Sequence, residues 1–251
     1  MGLPAALKAH SNGDLKTAAL HYQRALDQGD TQAVIFQNFG ALLRETGDLD
    51  RAEGLYQKGM DLHPLHRGIR RNRANLLRES EPLLSFKLHF DLLREAFNNS
   101  EIEVSDSDIN PLIDILESLG YRSWAYQFCR WSLSVVGPQP SILLQLFKLI
   151  TSKGFNVFVK NSDQESIINS LNDQISSLSP SEQAEYYFSL MSIQLQRHEF
   201  NKCLETLEMA RLILSRISFD SAEQKEKLLK LNNINSWNMG CTLLTHQRFQ
   251  D

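Results

Sequence analysis

One stretch of this chain occurs twice at a fixed step. Ser11-Asn12-Gly13-Asp14-Leu15-Lys16-Thr17-Ala18 returns as Glu45-Thr46-Gly47-Asp48-Leu49-Asp50-Arg51-Ala52. The same shift, Gly13 to Gly47, carries Tyr22 onto Tyr56 and Leu26 onto Met60. A period of roughly 20–50 residues marks a chain built of small units, none of which buries its apolar side alone. Such units stack side by side, so the fold follows from what one of them contains.

The second copy, residues 33–64, is the clearest. It opens with Phe36, then Phe39-Gly40, then Leu43, and continues with Ala52, Tyr56, Gly59 and Pro64. Gly40 and Ala52 are small where two helix backbones cross closely, and Phe36, Phe39 and Tyr56 fill the space around that crossing. Gly47 lets the chain leave the first helix in a left-handed conformation, Asp48 stands where it can cap the second, and Pro64 ends it. In these eight positions, and in a period of about 34 residues, the stretch resembles the tetratricopeptide repeat (TPR) family, whose unit is a pair of antiparallel helices. The resemblance implies an all-α, TPR-like α-solenoid of antiparallel helix pairs.

Further along, the pattern weakens but keeps its step. Gly120 and Gly154, separated by the same shift, follow Leu112, Ile113 and Leu116 in one copy and Leu146, Phe147 and Ile150 in the next. Residues 182–214 read as another pair, broken at His198-Glu199-Phe200, with Cys203 and Ala210 at the small places. Trp237-Asn238-Met239-Gly240, with Leu243 and Leu244, matches an opening half. Three departures make the array irregular in its middle. Residues 83–97 read as a long amphipathic helix with Pro82 near its start and a polar loop after it. Residues 161–179 hold a lengthened second helix, and 219–232 are charged, helical and out of frame. The expected organisation is TPR repeats over 1–79 and degenerate TPR-like repeats over 80–251, in one continuous solenoid. Because Arg248-Phe249-Gln250-Asp251 occupies a turn with no second helix after it, the chain reads as part of a longer protein. Its uncapped end is a place for self-association.

The resemblance also implies where partners bind. Stacked first helices line a concave wall, and in the family an asparagine one place before the large apolar residue points into that groove. Asn38, Asn72 and Asn238 hold this place here, with Gln145 between them, while Pro4, Pro111 and Ser189 break the series. Amides suit the task because they both donate to and accept from a peptide bond. A second candidate is basic: Arg67, Arg70, Arg71, Arg73 and Arg78, with His66 nearby and only Glu79 and Glu81 beyond. Arg70 and Arg73 replace bulky apolar residues of the repeat. Arg67, Arg71 and Arg78 thus join the asparagines as candidate partner-binding residues for an acidic peptide or phosphate-bearing ligand. The alternative is a solvated face whose arginine stems cover apolar neighbours and pair with local acids.

Composition and motifs narrow the function. With 251 residues and a net charge of −4, the chain has no global attraction to nucleic acid or anionic lipid, and no aromatic stacking platform accompanies the arginines. The best membrane candidate, 141–150, is short and contains Gln145 and Lys148. Cys129, Cys203 and Cys241 read as small packing residues in a reducing compartment, which points to the cytoplasm. Trp124, Trp131, Trp237, Tyr121, Tyr126 and Phe128 read as core at helical spacing. Asp106 and Asp108 read as loop acids without partners. There is no phosphate loop, no metal motif and no nucleophile motif; His63 and His66 have Pro64 between them and no third ligand, and no cofactor is implied. The expected function is a non-enzymatic scaffold holding a protein or peptide in the groove. An alternative rests on Asn238-Met239-Gly240-Cys241-Thr242-Leu243-Leu244 and the following Gln247-Arg248-Phe249-Gln250. This run resembles the last repeat of bacterial TPR–glycosyltransferase proteins, which implies a substrate-recruiting region with a catalytic domain beyond Asp251.

Overall fold

The computed structural model describes residues 2–99, 101–152 and 160–216, together with Glu226 and Lys230. Twelve α-helices and no strand are present among the described residues. Gly154, Asn238, Cys241 and the half-repeat at 237–244 lie outside them. The chain divides into two compact units, Met1–Leu119 and Gly120–Asp251.

The first unit holds α1 (Leu3–Ser11), α2 (Leu15–Asp27), α3 (Ala33–Glu45), α4 (Leu49–Leu62), α5 (Arg67–Leu76), α6 (Pro82–Asn98) and α7 (Asp106–Ser118). Successive helices pack pairwise: α1 on α2, α3 on α4 and α5 on α6, with first helices α3 and α5 also in contact. The small residues act as the repeat pattern requires. A Cβ on Gly40 would collide with the Tyr56 ring, and one on Gly59 would lie 2.7 Å from Phe36 Cβ. One core runs from α1 to α5, with Tyr22, Phe36, Phe39, Ala52 and Tyr56 buried in it. Tyr22 and Phe39 stack across neighbouring repeats at 5.7 Å. Helix α4 stops at Leu62, two residues before Pro64.

The turns show both success and departure. Asp14 caps α2 by accepting from the Thr17 N–H at 3.1 Å. Asp48 takes the same position at α4, but its carboxylate pairs with Arg51 at 3.1 Å and caps no backbone N–H. The expected cap is therefore absent, and the carboxylate is turned to the Arg51 guanidinium one turn away instead.

The second unit holds α8 (Arg122–Val136), α9 (Pro140–Thr151), α10 (Asn161–Gln174), α11 (Pro180–Gln196) and α12 (Phe200–Leu214), with a 3-10 turn, Ile175–Ser177, lengthening α10. Phe147 packs on Tyr186 at 5.4 Å, and Lys148 bridges to Glu185 at 2.8 Å, so α9 is fixed to α11. Between α11 and α12 lie buried Cys203 and Ala210. Cys129 and Cys203 are buried, and burial raises the Cys203 thiol to about 11.

Between α3 and α4, Gly47 adopts φ 84°, and the Asp48 N–H reaches back to the Leu43 carbonyl at 2.8 Å. Between α11 and α12, His198 fills the equivalent place at φ 58°, with the Glu199 N–H on the Gln194 carbonyl at 2.9 Å. Left-handed backbone costs an L-residue about 1–2 kcal/mol, part of which glycine returns as unfolded-state entropy. His198→Gly is therefore expected to stabilise, and Gly47→Ala to destabilise, each by about 0.5–1 kcal/mol. Urea unfolding curves of the two variants check the opposite signs.

Candidate functional site

The repeat step puts Asn38 on α3 and Asn72 on α5 at one place in consecutive first helices. Both side chains are half-buried. The Asn72 amide donates to the Gln37 carbonyl at 3.3 Å, so it lies against α3. Each asparagine also neighbours the buried tyrosine of the preceding second helix. Burial raises the Tyr22 hydroxyl, and the Asn38 amide opposes it. Burial pushes Tyr56 up to about 12, against the charge of Arg44 and the amide of Asn72. Tyrosine and asparagine thus recur together at the repeat step. Gln145 sits half-buried on α9 in the second unit, and Asn238 falls outside the described residues.

The arginine helix is organised differently from a solvated face. Arg67 and Arg71 converge on one oxygen of Asp108 at 3.0 and 2.6 Å, and Asp108 is 2% exposed. Arg67 also donates to the Leu92 carbonyl at 2.9 Å. Arg70 is buried and meets Glu95 at 2.6 Å. Arg73, one repeat step after Phe39, gives Glu53 two hydrogen bonds of 2.9 and 2.7 Å. Arg78 pairs with Asp114 at 3.3 Å. These acids stand 20–41 residues from their arginines in the sequence, so none of them is a sequence neighbour of its partner.

Asp108 corrects an expectation: it belongs to the first turn of α7 and is not a partnerless loop acid. Its carboxylate accepts from the Ser105 N–H and hydroxyl at 3.2 and 3.1 Å. Burial alone would raise this carboxyl, but the Ser105 and Arg71 hydrogen bonds, with the charge of Arg71, hold it below the ordinary carboxylate range. Beneath this network lies His89, buried on α6, with no hydrogen-bond partner for Nε2 among the described residues. Burial lowers His89 to about 4, aided by Arg78 and Arg71 and opposed by Asp108.

The aromatic residues of α8 also depart from expectation. Trp124 is 72% exposed, and Tyr121 and Trp131 are exposed as well. The buried face of α8 is Ala125, Cys129 and Ser132. Small residues let α9 approach closely, which leaves the larger apolar stripe beside them outward. Helical spacing pointed to the aromatic stripe as core, and the small stripe beside it packs instead.

His66 and His63 serve the backbone: His66 Nδ1 accepts from the Ile69 N–H at 3.3 Å, and His63 Nε2 meets the Thr31 carbonyl at 2.6 Å. Among the described residues, no group of three or more His, Cys, Asp or Glu could hold a metal, and no helix is long and apolar enough to cross a membrane.

No family model and no curated protein matches the chain. Solved structures do. YrrB, described as a TPR protein with an unusual peptide-binding site, aligns with 85% of this chain and 100% of its own length, at a TM-score of 0.52 and 16% identity. MamA MSR-1 C2 aligns with 68% of this chain and 93% of its own, at 0.50 and 12%. The fold is TPR-like.

Proposed function

We propose that the chain is a non-enzymatic interaction module. It holds an extended segment of a protein partner along the face of α3 and α5 that carries Asn38 and Asn72, in a reducing, cytoplasmic setting. One observation supports this most: two amides recur at the repeat step, each half-buried beside a buried tyrosine, the second also held to the Gln37 carbonyl, yet still reaching the surface. A peptide lies extended with its N–H and C=O groups at regular intervals, and fixed amides match both kinds of group without selecting charge. The likeness to YrrB, whose description includes a peptide-binding site, agrees with a peptide ligand. Arg67 and Arg71 contribute by holding α5 in place, since their charges are turned to Asp108.

Selection of short random peptides on the immobilised chain tests this. Enriched peptides are expected to lose roughly thirtyfold in affinity on Asn38→Ala/Asn72→Ala, from about 1 kcal/mol per amide contact and tenfold per 1.4 kcal/mol. Unchanged affinity in that variant, with its helix content intact, removes the site.

A further inference from the structure

The outward face of α8 carries a regular pattern of its own, beginning at the N-cap residue Tyr121. Tyr121, Trp124, Phe128, Trp131 and Val135 follow one another at steps of three, four, three and four residues. That is the spacing of a coiled-coil seam, which keeps one line of side chains facing a partner helix. Four of the five are exposed, and Phe128 is half-buried. We propose that this seam pairs with the same seam of a second copy, antiparallel, so that the chain forms a weak dimer through α8. The proposal concerns the second unit and is independent of the asparagine face on α3 and α5.

Three observations select a second copy as the occupant. The first is charge. Beside the seam lie exposed Ser123, Gln127 and Ser134 on one side and buried Ala125, Cys129 and Ser132 on the other. Arg122 and Arg130, the only charged residues of α8, stand roughly 140° round the helix from the seam, at about 100° per residue. Arg130 reaches the Tyr126 hydroxyl there, and lines a cavity with Asp163 of α10. Two such faces meet without like charges between them, whereas a partner with charged flanks finds nothing on this face to pair with. The second is size. Antiparallel pairing centred on Phe128 sets Tyr121 beside the second copy's Val135, Trp124 beside its Trp131 and Phe128 beside its Phe128. Large meets small at the ends, the arrangement is self-complementary about a two-fold axis, and the helix dipoles oppose. The third is area. An aromatic side chain covers about 150–250 Å², and roughly half of that is open at Tyr121, Trp124 and Trp131, so the seam offers on the order of 500 Å² per copy. Two copies together bury about 1,000 Å², at the lower edge of specific interfaces and in the range of transient ones. Phe128 and Trp131 already pack together at 5.4 Å, so pairing orders few side chains anew.

Sedimentation velocity of the full chain, from about 1 to about 100 µM, tests this. The sedimentation coefficient is expected to rise from that of one copy to that of two, with a midpoint on the order of 10 µM. Trp124→Ser/Trp131→Ser, with circular dichroism unchanged because both indoles are exposed, is expected to remain a monomer throughout. Gln127 borders the seam next to its centre, so in the antiparallel pair it meets Gln127 of the second copy. Gln127→Glu and Gln127→Lys are each expected to weaken the dimer about tenfold, and their equimolar mixture to restore it. That charge swap decides the matter if the tryptophan variant loses helix content. A chain that stays monomeric at about 100 µM overturns the proposal, whether α8 then proves to take a lipid surface or a different protein. A dimer that persists in the folded tryptophan variant, or unweakened in both Gln127 variants, has its contact elsewhere and overturns it too.

Discussion

Asp108→Ala is expected to lower the unfolding free energy by about 3 kcal/mol, the lower end of the cost of breaking a buried ion pair. The lower end applies because the guanidinia of Arg67 and Arg71 remain 21% and 31% exposed and keep some water. The loss has two sources. Two cations that shared one oxygen are left facing each other, and the bonds that tie Ser105 to the first turn of α7 disappear. Chemical unfolding followed by circular dichroism reads the total. Hydrogen exchange in α5 and α7 shows whether it is local to the network. Replacing the whole triad, as Arg67→Met/Arg71→Met/Asp108→Leu, is expected to recover most of the loss, since an apolar cluster of similar volume carries no stranded charge. If Asp108→Ala unfolds as the unmodified chain does, the ion pair contributes nothing.

Acid is expected to destabilise the chain through His89 before it reaches the carboxylates. The folded protein holds this imidazole neutral down to about 4, against an ordinary value of 6.5, chiefly because it is buried and secondarily because Arg78 and Arg71 repel its charged form. The unfolded chain therefore binds a proton between those values that the folded chain does not. Stability is unaffected above pH 6.5 and falls as pH drops from 6.5 towards 4, by about 3 kcal/mol at the lower end. Asp108 acts in a different window. Its folded value is depressed, so its contribution is complete above 3.8 and lost only at lower pH. Urea midpoints measured across the range from 6.5 to 4 are expected to slope downward for the unmodified chain and to flatten in His89→Leu. An equal slope in both assigns the acid sensitivity elsewhere.

The parts of the fold that could be read from the sequence are those where one local choice has one physical meaning. Gly40 and Gly59 announce close crossings, and the structure closes Tyr56 and Phe36 against them. Pro82 begins a long helix, and the break at His198 separates α11 from α12. What escaped was decided across repeats. Nothing near Arg67 or Arg71 in the chain points to Asp108, and Glu53 and Glu95 likewise reach their arginines only through packing. A signal was available: Arg70 and Arg73 occupy buried places in the repeat, and buried cations require buried or shared anions. The α8 aromatics misled for the opposite reason, since size and spacing favoured a core that small residues beside them already supplied. At the candidate site, the register of Asn38 and Asn72 is legible in the repeat, but their tyrosine neighbours are not.

The most direct measurement is nuclear magnetic resonance of the asparagine side-chain amides during titration with a selected peptide. The account predicts saturable shifts of Asn38 and Asn72. Shifts confined to the second unit, for instance to the exposed indole of Trp124, or saturation that leaves the amides on α3 and α5 unmoved, would contradict it.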